Sequence, residues 1–245
     1  MNLIYSILAA FSMFSALPMP QVPWEKEKIR YMLVALPLVG AVVGLVEYLW
    51  LRLCSRLAFG MVLSAVGFTL IPVLITGGIH LDGFADTWDA LSSHAAPERK
   101  QEILKDPHAG AFAVIHLCLY FLLSFALWTS VQEERLLPLV LLFCLSRALS
   151  GLALTLFPLA PGSGLARSFA EAADRKRVRV ILALLSLGLA LGLILCGAWA
   201  AVPAAALVFA AYYRLCVRQF EGLSGDLAGW FLQTAELWML AALLL

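Results

Sequence analysis

Asp82, Asp86 and Asp89 stand at i, i+4 and i+7 in the stretch that runs from Gly77 to Gly110. At about 100° per residue in a helix, that spacing puts three carboxylates within about 60° of one face. Like charges so placed repel, and a surface helix ordinarily interleaves Lys or Arg to relieve them. A divalent cation relieves them better. Mg²⁺ takes hard oxygen ligands and is typically held by a few carboxylates together with substrate phosphates, so the triplet predicts a metal site. The same stretch holds six of the chain's sixteen acidic residues and three of its four histidines, with Gly77-Gly78 ahead of the triplet and Asp106-Pro107-His108 behind it. The competing reading, a solvated acidic helix between two apolar segments, is disfavoured because the cluster abuts an apolar run, where idle charge is expensive.

The elements that must position these groups are membrane helices. Of 245 residues, 62% are hydrophobic and 13% charged, far from the roughly 45–50% and 25% of soluble domains. Apolar runs long enough to be counted as spans extend over Asn2 to Leu17, Tyr31 to Leu51, Leu57 to Ile79, Ala111 to Val131, Leu136 to Phe157, Val180 to Ala200, Pro203 to Val217 and Gly229 to Leu245. The expected fold is an all-α, polytopic integral membrane helix bundle of about seven or eight transmembrane helices in a single domain. Met1 to Pro20 lacks the basic start and small-residue cleavage site of a removable signal. Thirteen of the seventeen Lys and Arg residues fall in the connections after spans one, three, five and seven or, for Arg214, in the last turn of span seven, and only Arg52, Arg56 and Arg135 fall on the other side. The positive-inside rule then predicts a cytoplasmic acidic segment in the cell membrane. Basic residues spread over flanking loops form no nucleic-acid patch. Five cysteines without C-x-x-C spacing read as packing residues.

Several polar residues sit where the bilayer should exclude them. Arg147, among leucines of the fifth span, points to anion binding through its bidentate fork, with an ion pair to Glu236 as the alternative. Glu47 reads as an end-of-span glutamate reaching the interface. Gly162 and Gly164 can offer backbone donors to a phosphate. Asp226 reads as a first-turn acid of the last helix, while Gln233 and Glu236 should face the bundle interior.

In order along the chain, Phe14-Ser15-x-Leu17-Pro18-x-Pro20, Gly77-Gly78-x-His80-Leu81-Asp82-Gly83-x-Ala85-Asp86-x-x-Asp89, Asp106-Pro107-His108-x-Gly110, Ser146-Arg147 and Ser224-Gly225-Asp226-x-x-Gly229 with Glu236 resemble the cobalamin synthase family, the adenosylcobinamide-GDP ribazoletransferases. The resemblance runs from first span to last, and its central segment is the most specific part. Glu221 stands where that pattern has glycine, and Gln233 where it has glutamate. The resemblance implies a Mg²⁺-dependent inner-membrane enzyme of bacteria or archaea that joins adenosylcobinamide-GDP to α-ribazole or its 5′-phosphate and releases GMP. The Asp-Gly-x-Ala-Asp core also looks like a distant form of the CDP-alcohol phosphotransferase signature, but lacks that signature's later aspartates.

Phosphoryl chemistry of this kind needs charge neutralisation and in-line positioning. Asp82, Asp86, Asp89 and Asp106 are the expected Mg²⁺ ligands. Arg147, Arg99, Lys100 and Gly164 are the expected phosphate binders, and Asp226 and Glu236 are secondary candidates. The base for the attacking hydroxyl is a metal-free aspartate, His80 or His108. Two other functions compete with this one. A transporter should show two related halves and mid-span carboxylates, and no internal repeat is present. A lipid-directed phospho-alcohol transferase would keep the metal chemistry and change only the acceptor.

Overall fold

The computed structural model describes residues 2–130 and 136–245. Val131 and Arg135, used above to bound a span and count charges, lie outside the described residues. The described chain forms α1 (Asn2–Phe14), α2 (Lys26–Ile29), α3 (Met32–Leu57), α4 (Met61–Thr76), α5 (Ile79–Ser92), α6 (Pro97–Ile103), α7 (Ala111–Trp128), α8 (Leu136–Leu156), α9 (Gly164–Ala172), α10 (Arg175–Leu195), α11 (Ala201–Gln219) and α12 (Gly225–Leu243). Among the described residues the only extended pairing is an isolated bridge between Leu159 and Leu223.

Five helices, α3, α7, α8, α10 and α11, are long and apolar enough to cross a membrane, and α4 with α5 makes a sixth only as a pair bent by 95°. The expected seven or eight spans are therefore five or six, for identifiable reasons. Helix α1 stops at Phe14, ahead of Pro18 and Pro20, which cannot donate to a helical ladder. The third run breaks at Gly77 and Gly78, which take φ of +65° and +78°, a left-handed conformation that favours glycine. Beyond that break, α5 turns sharply off the line of α4. Helix α12 carries Asp226, Gln233 and Glu236 and is buried along most of its length.

Outward faces carry Leu74, Leu122, Leu184, Leu187, Leu195 and Leu207, all exposed. So much apolar surface is a liability in water and a match to lipid. The protein is a polytopic membrane helix bundle. Its inner helix is α12, packed against α5, α8 and α11, while α3 lies along α8. Gly40 and Gly44 allow that second contact: a Cβ on Gly44 would stand 2.7 Å from Val140 Cα.

One expectation about α3 is corrected. The helix runs on to Leu57, so Glu47 is not at its end. Its carboxylate is fully buried and finds no hydrogen-bond partner among the described residues.

Candidate active site

The site is built where α5 crosses α12. Both helices have glycine at the crossing, so their backbones touch: a Cβ on Gly83 would lie 2.7 Å from Asp226 Cα and from Asp226 O, and one on Gly229 would lie 2.8 Å from His80 O. Bare backbone at Gly83 thus lets Asp82 and Asp86 stand beside Asp226. Ser224 caps α12 by accepting from Leu227 N at 3.3 Å, and its hydroxyl also donates to Asp226 Oδ2 at 3.4 Å. Asp226 therefore sits in a first turn, where the helix dipole favours an anion.

Ile79–Ser92 is helical, as the aspartate spacing predicts, and the three carboxylates act on one another. Asp86, half-buried, is pushed up to about 7, first by desolvation and then by the charges of Asp82, Asp226 and Asp89. Four carboxylates from two helices thus form one negative centre. Asp89 also ties this centre to α7, since its Oδ1 accepts from Ala113 N at 3.4 Å. Gly110 leaves the room, because a Cβ there would meet Asp89 Oδ1 at 2.2 Å. Among the described residues no three His, Cys, Asp or Glu side chains are grouped so as to hold a metal ion together.

Two cavities flank this centre. One, of about 270 Å³, is mostly apolar, with Phe14, Leu154, Phe169 and Leu232 in its wall and Asp82, Asp226, His80, Arg147 and Ser150 as its polar members. The other, of about 230 Å³, is bounded by Lys105, Gln101, the Pro161–Gly164 turn and the start of α12. Leu165, Ala166, Gly225 and Asp226 belong to both walls. The turn is held in place by the Leu159 bridge, through Ala160 N to Leu223 O at 3.0 Å and Leu223 N to Pro158 O at 2.8 Å. Glu221, at the position where the family pattern has glycine, takes φ of +55°, so the pattern reflects a backbone need.

The expected phosphate binders are partly redistributed. Arg147 is buried and ion-paired with Glu236, and its Nη1 also donates to Ser146 Oγ and Phe143 O, each at 3.1 Å. The ion pair to Glu236, the alternative reading of this arginine, is present. Lys100 is buried, with Nζ on Gln219 Oε1, and Arg99 is exposed and paired with Glu102; neither lines a cavity. Helix α6 is short, and the lysine that reaches the site is Lys105, just beyond its end. Sequence reasoning passed over Lys105 because nothing local separates it from Lys100. Gly164 lines the second cavity.

Asp106 is exposed and holds its neighbour His108, accepting from His108 N at 3.0 Å and lying 2.7 Å from Nδ1. These contacts keep its carboxyl below the usual carboxylate range. Neither residue lines either cavity. His80 lies in the first turn of α5, buried, and is pushed down to about 3 by desolvation and then by Arg147. It stays neutral and is a poor proton acceptor at physiological pH.

A polytopic bundle that gathers carboxylates from two crossing helices between two cavities is a membrane-embedded enzyme with an acidic centre. The chain belongs to the cobalamin-5-phosphate synthase family, which it matches over residues 6–244. Three relatives bear the name adenosylcobinamide-GDP ribazoletransferase. The one from Lachnoclostridium phytofermentans is 40% identical over 240 residues, covering 97% of this chain and 92% of its own. Those from Pseudomonas putida strain GB-1 and Clostridium botulinum strain Alaska E43 are 38% and 33% identical, with 94% and 95% of their own lengths covered. No solved structure matches the chain.

Proposed function

We propose that the chain is an adenosylcobinamide-GDP ribazoletransferase, joining adenosylcobinamide-GDP to α-ribazole or its 5′-phosphate with release of GMP. The observation that carries the reading, beside membership of the family, is the carboxylate centre of Asp82, Asp86, Asp89 and Asp226 set between two cavities. Two adjoining compartments can hold the two substrates of a transfer with the reacting bond at their shared wall, and Asp226 belongs to both walls.

Mg²⁺ is the expected cofactor, and the residues fit it. The donors are all carboxylate oxygens, and Asp86 is pushed up to about 7 by desolvation and then by neighbouring negative charge, the part a cation would neutralise. A group of three protein ligands is not required, since Mg²⁺ commonly takes one or two carboxylates and leaves its other positions to water and phosphate. Asp82 and Asp226 would hold it; when bound, it neutralises pyrophosphate charge and stabilises the leaving GMP oxygen. Asp106, exposed and engaged with His108, has no part in this assignment. Lys105 and the backbone donors at Gly164 take up phosphate charge in the second cavity. Asp86, tuned close to neutrality, accepts the proton of the attacking ribose hydroxyl.

The face carrying this centre is the cytoplasmic side of the inner membrane. Lys105 lines the second cavity and Arg167 donates to Ala160 O in its wall at 3.4 Å, which accords with the positive-inside rule. The direct test is turnover by the purified chain with both substrates and Mg²⁺, followed by GMP release. No GMP from a folded preparation would overturn the assignment.

A further inference from the structure

Two basic segments far apart in sequence meet where α3 and α10 begin. Residues 25–30 and 171–179 carry seven Lys and Arg side chains against four acids, an excess of positive charge on one patch. Packing below the patch fixes how the helices stand. A Cβ on Gly151 of α8 would meet Leu182 Cδ1 of α10 at 3.0 Å, and Leu33 O and Leu36 Cδ1 of α3 at 3.1 and 3.4 Å, so the three helices share one contact. Above it, the Arg177 guanidinium hydrogen-bonds the hydroxyl of Tyr31, the residue that opens α3.

Some of these cations already have work. Arg175 Nε and Arg179 Nη2 both donate to Thr155 O in the last turn of α8, where the helix dipole favours positive charge. Lys28 pairs with Glu25. Arg177 Nε lies 3.5 Å from Asp174 Oδ2, yet the Arg177 side chain stays 71% exposed, which leaves donors of its fork free. Arg30 and Lys176, the chain neighbours of the Tyr31–Arg177 contact, are both exposed and have no ion pair among the described residues.

Further along α10 the surface changes character. Val180, Leu184, Leu187 and Leu191 are exposed, and their spacing of i, i+4, i+7 and i+11 makes one stripe. That stripe continues from the basic patch toward the middle of the bundle. A partner that meets free cations at one end and an aliphatic stripe at the other is anionic in its head and apolar in its tail. A nucleotide or free phosphate would leave the stripe bare, and a zwitterionic lipid brings a cation of its own to the patch. Basic pockets between membrane helices are suited to anionic lipid head groups.

We propose that the junction of α3 and α10 is a binding site for an anionic phospholipid: its phosphodiester lies among Arg30, Lys176 and Arg177, and its acyl chains follow the stripe through Leu184. Tyr31 and Asp174 hold the Arg177 guanidinium in place, and the bound head group bridges the first residues of two helices. The site is separate from the carboxylate centre and does not depend on the transferase reading.

The probe is dioleoyl phosphatidylglycerol, titrated onto the full-length protein in neutral detergent and counted by native mass spectrometry, with dioleoyl phosphatidylcholine as the neutral comparison. A cation near the head group contributes about fivefold in affinity, so Arg30→Gln combined with Lys176→Gln should weaken phosphatidylglycerol binding by about thirtyfold. Both side chains are exposed and unpaired, so the melting curve without lipid should match that of the wild-type protein, while the rise in Tm on adding phosphatidylglycerol should be lost. Arg214→Gln combined with Arg218→Gln removes the same charge from exposed positions near the end of α11 and should change affinity by less than about twofold. Equal losses in the two double variants would mean a general surface field and would overturn the site. Equal retention of phosphatidylcholine and phosphatidylglycerol by the wild-type protein would do the same. Displacement of phosphatidylglycerol by inorganic phosphate, at an ionic strength where chloride leaves it bound, would reassign the patch to a free anion and refute the lipid.

Discussion

Gly83→Ala isolates the helix crossing from the chemistry it supports. The added Cβ would stand 2.7 Å from both Cα and O of Asp226. Both are backbone atoms, so no side chain can rotate away, and α5 and α12 must part by about 0.7 Å to restore ordinary contact. Overpacking of this kind costs about 1–3 kcal/mol. Alanine is the better helix former by about 1 kcal/mol, which offsets part of that. The net loss is about 0–2 kcal/mol, a fall in Tm of no more than about 8 °C for a chain of this size. Turnover should suffer far more, because a shift near 1 Å in positioned groups costs about a hundredfold. Detergent melting curves and GMP release on the same preparation measure the two effects side by side. Gly188 in α10, where a Cβ meets nothing within 4 Å, supplies the control: Gly188→Ala should be neutral or slightly stabilising and fully active. Wild-type turnover in Gly83→Ala, or a loss matching only the unfolded fraction, would refute the claim that this contact aligns the carboxylates.

Other consequences follow from charge. Asp86 is raised in the folded state, so the fold takes up a proton between the ordinary carboxylate value and about 7; metal-free stability should fall as pH rises across that window, and Mg²⁺ should reverse the trend. By the same sign, Mg²⁺ affinity and kcat/KM should rise with pH through about 7, and a flat profile from pH 5.5 to 8 would exclude Asp86 from either role. Arg147→Met alone leaves Glu236 as an unpaired buried charge and should cost roughly 3–5 kcal/mol, while adding Glu236→Leu should recover most of that; equal melting losses in the single and double variants would dispose of the ion pair. A cysteine at Ser93 in a cysteine-free background should resist an impermeant reagent applied outside intact cells, and labelling from that side would reverse the topology.

How much of this was legible in the chain differs from element to element. The aspartate face of α5 was, because helical periodicity is a local property and the residues that set it are contiguous. The convergence of Asp226 on that face was not, since it depends on two glycines far apart in sequence meeting at one crossing. The Arg147–Glu236 pair was recognisable only as one of two options: a buried arginine needs a partner, but sequence does not say whether protein or substrate supplies it. Glu47 and the span count were misjudged for a shared reason. Apolar runs mark where grease lies and not where a helix bends or ends, so α3 extended past its apolar run and α4 broke at two glycines. Lys105 was missed in favour of Lys100 because the short α6 and the turn after it decide which lysine points into the bundle and which toward the second cavity.

The most direct measurement of the central claim, that carboxylates from α5 and α12 serve one transfer centre, is a double-mutant cycle on GMP release with Asp82→Asn and Asp226→Asn. Groups that act as a unit are strongly non-additive. Each single change should therefore slow turnover by about a hundredfold or more, and the double variant should be about as slow as the worse single one. Effects that multiply in the double variant, or a single variant at wild-type speed, would contradict a shared centre.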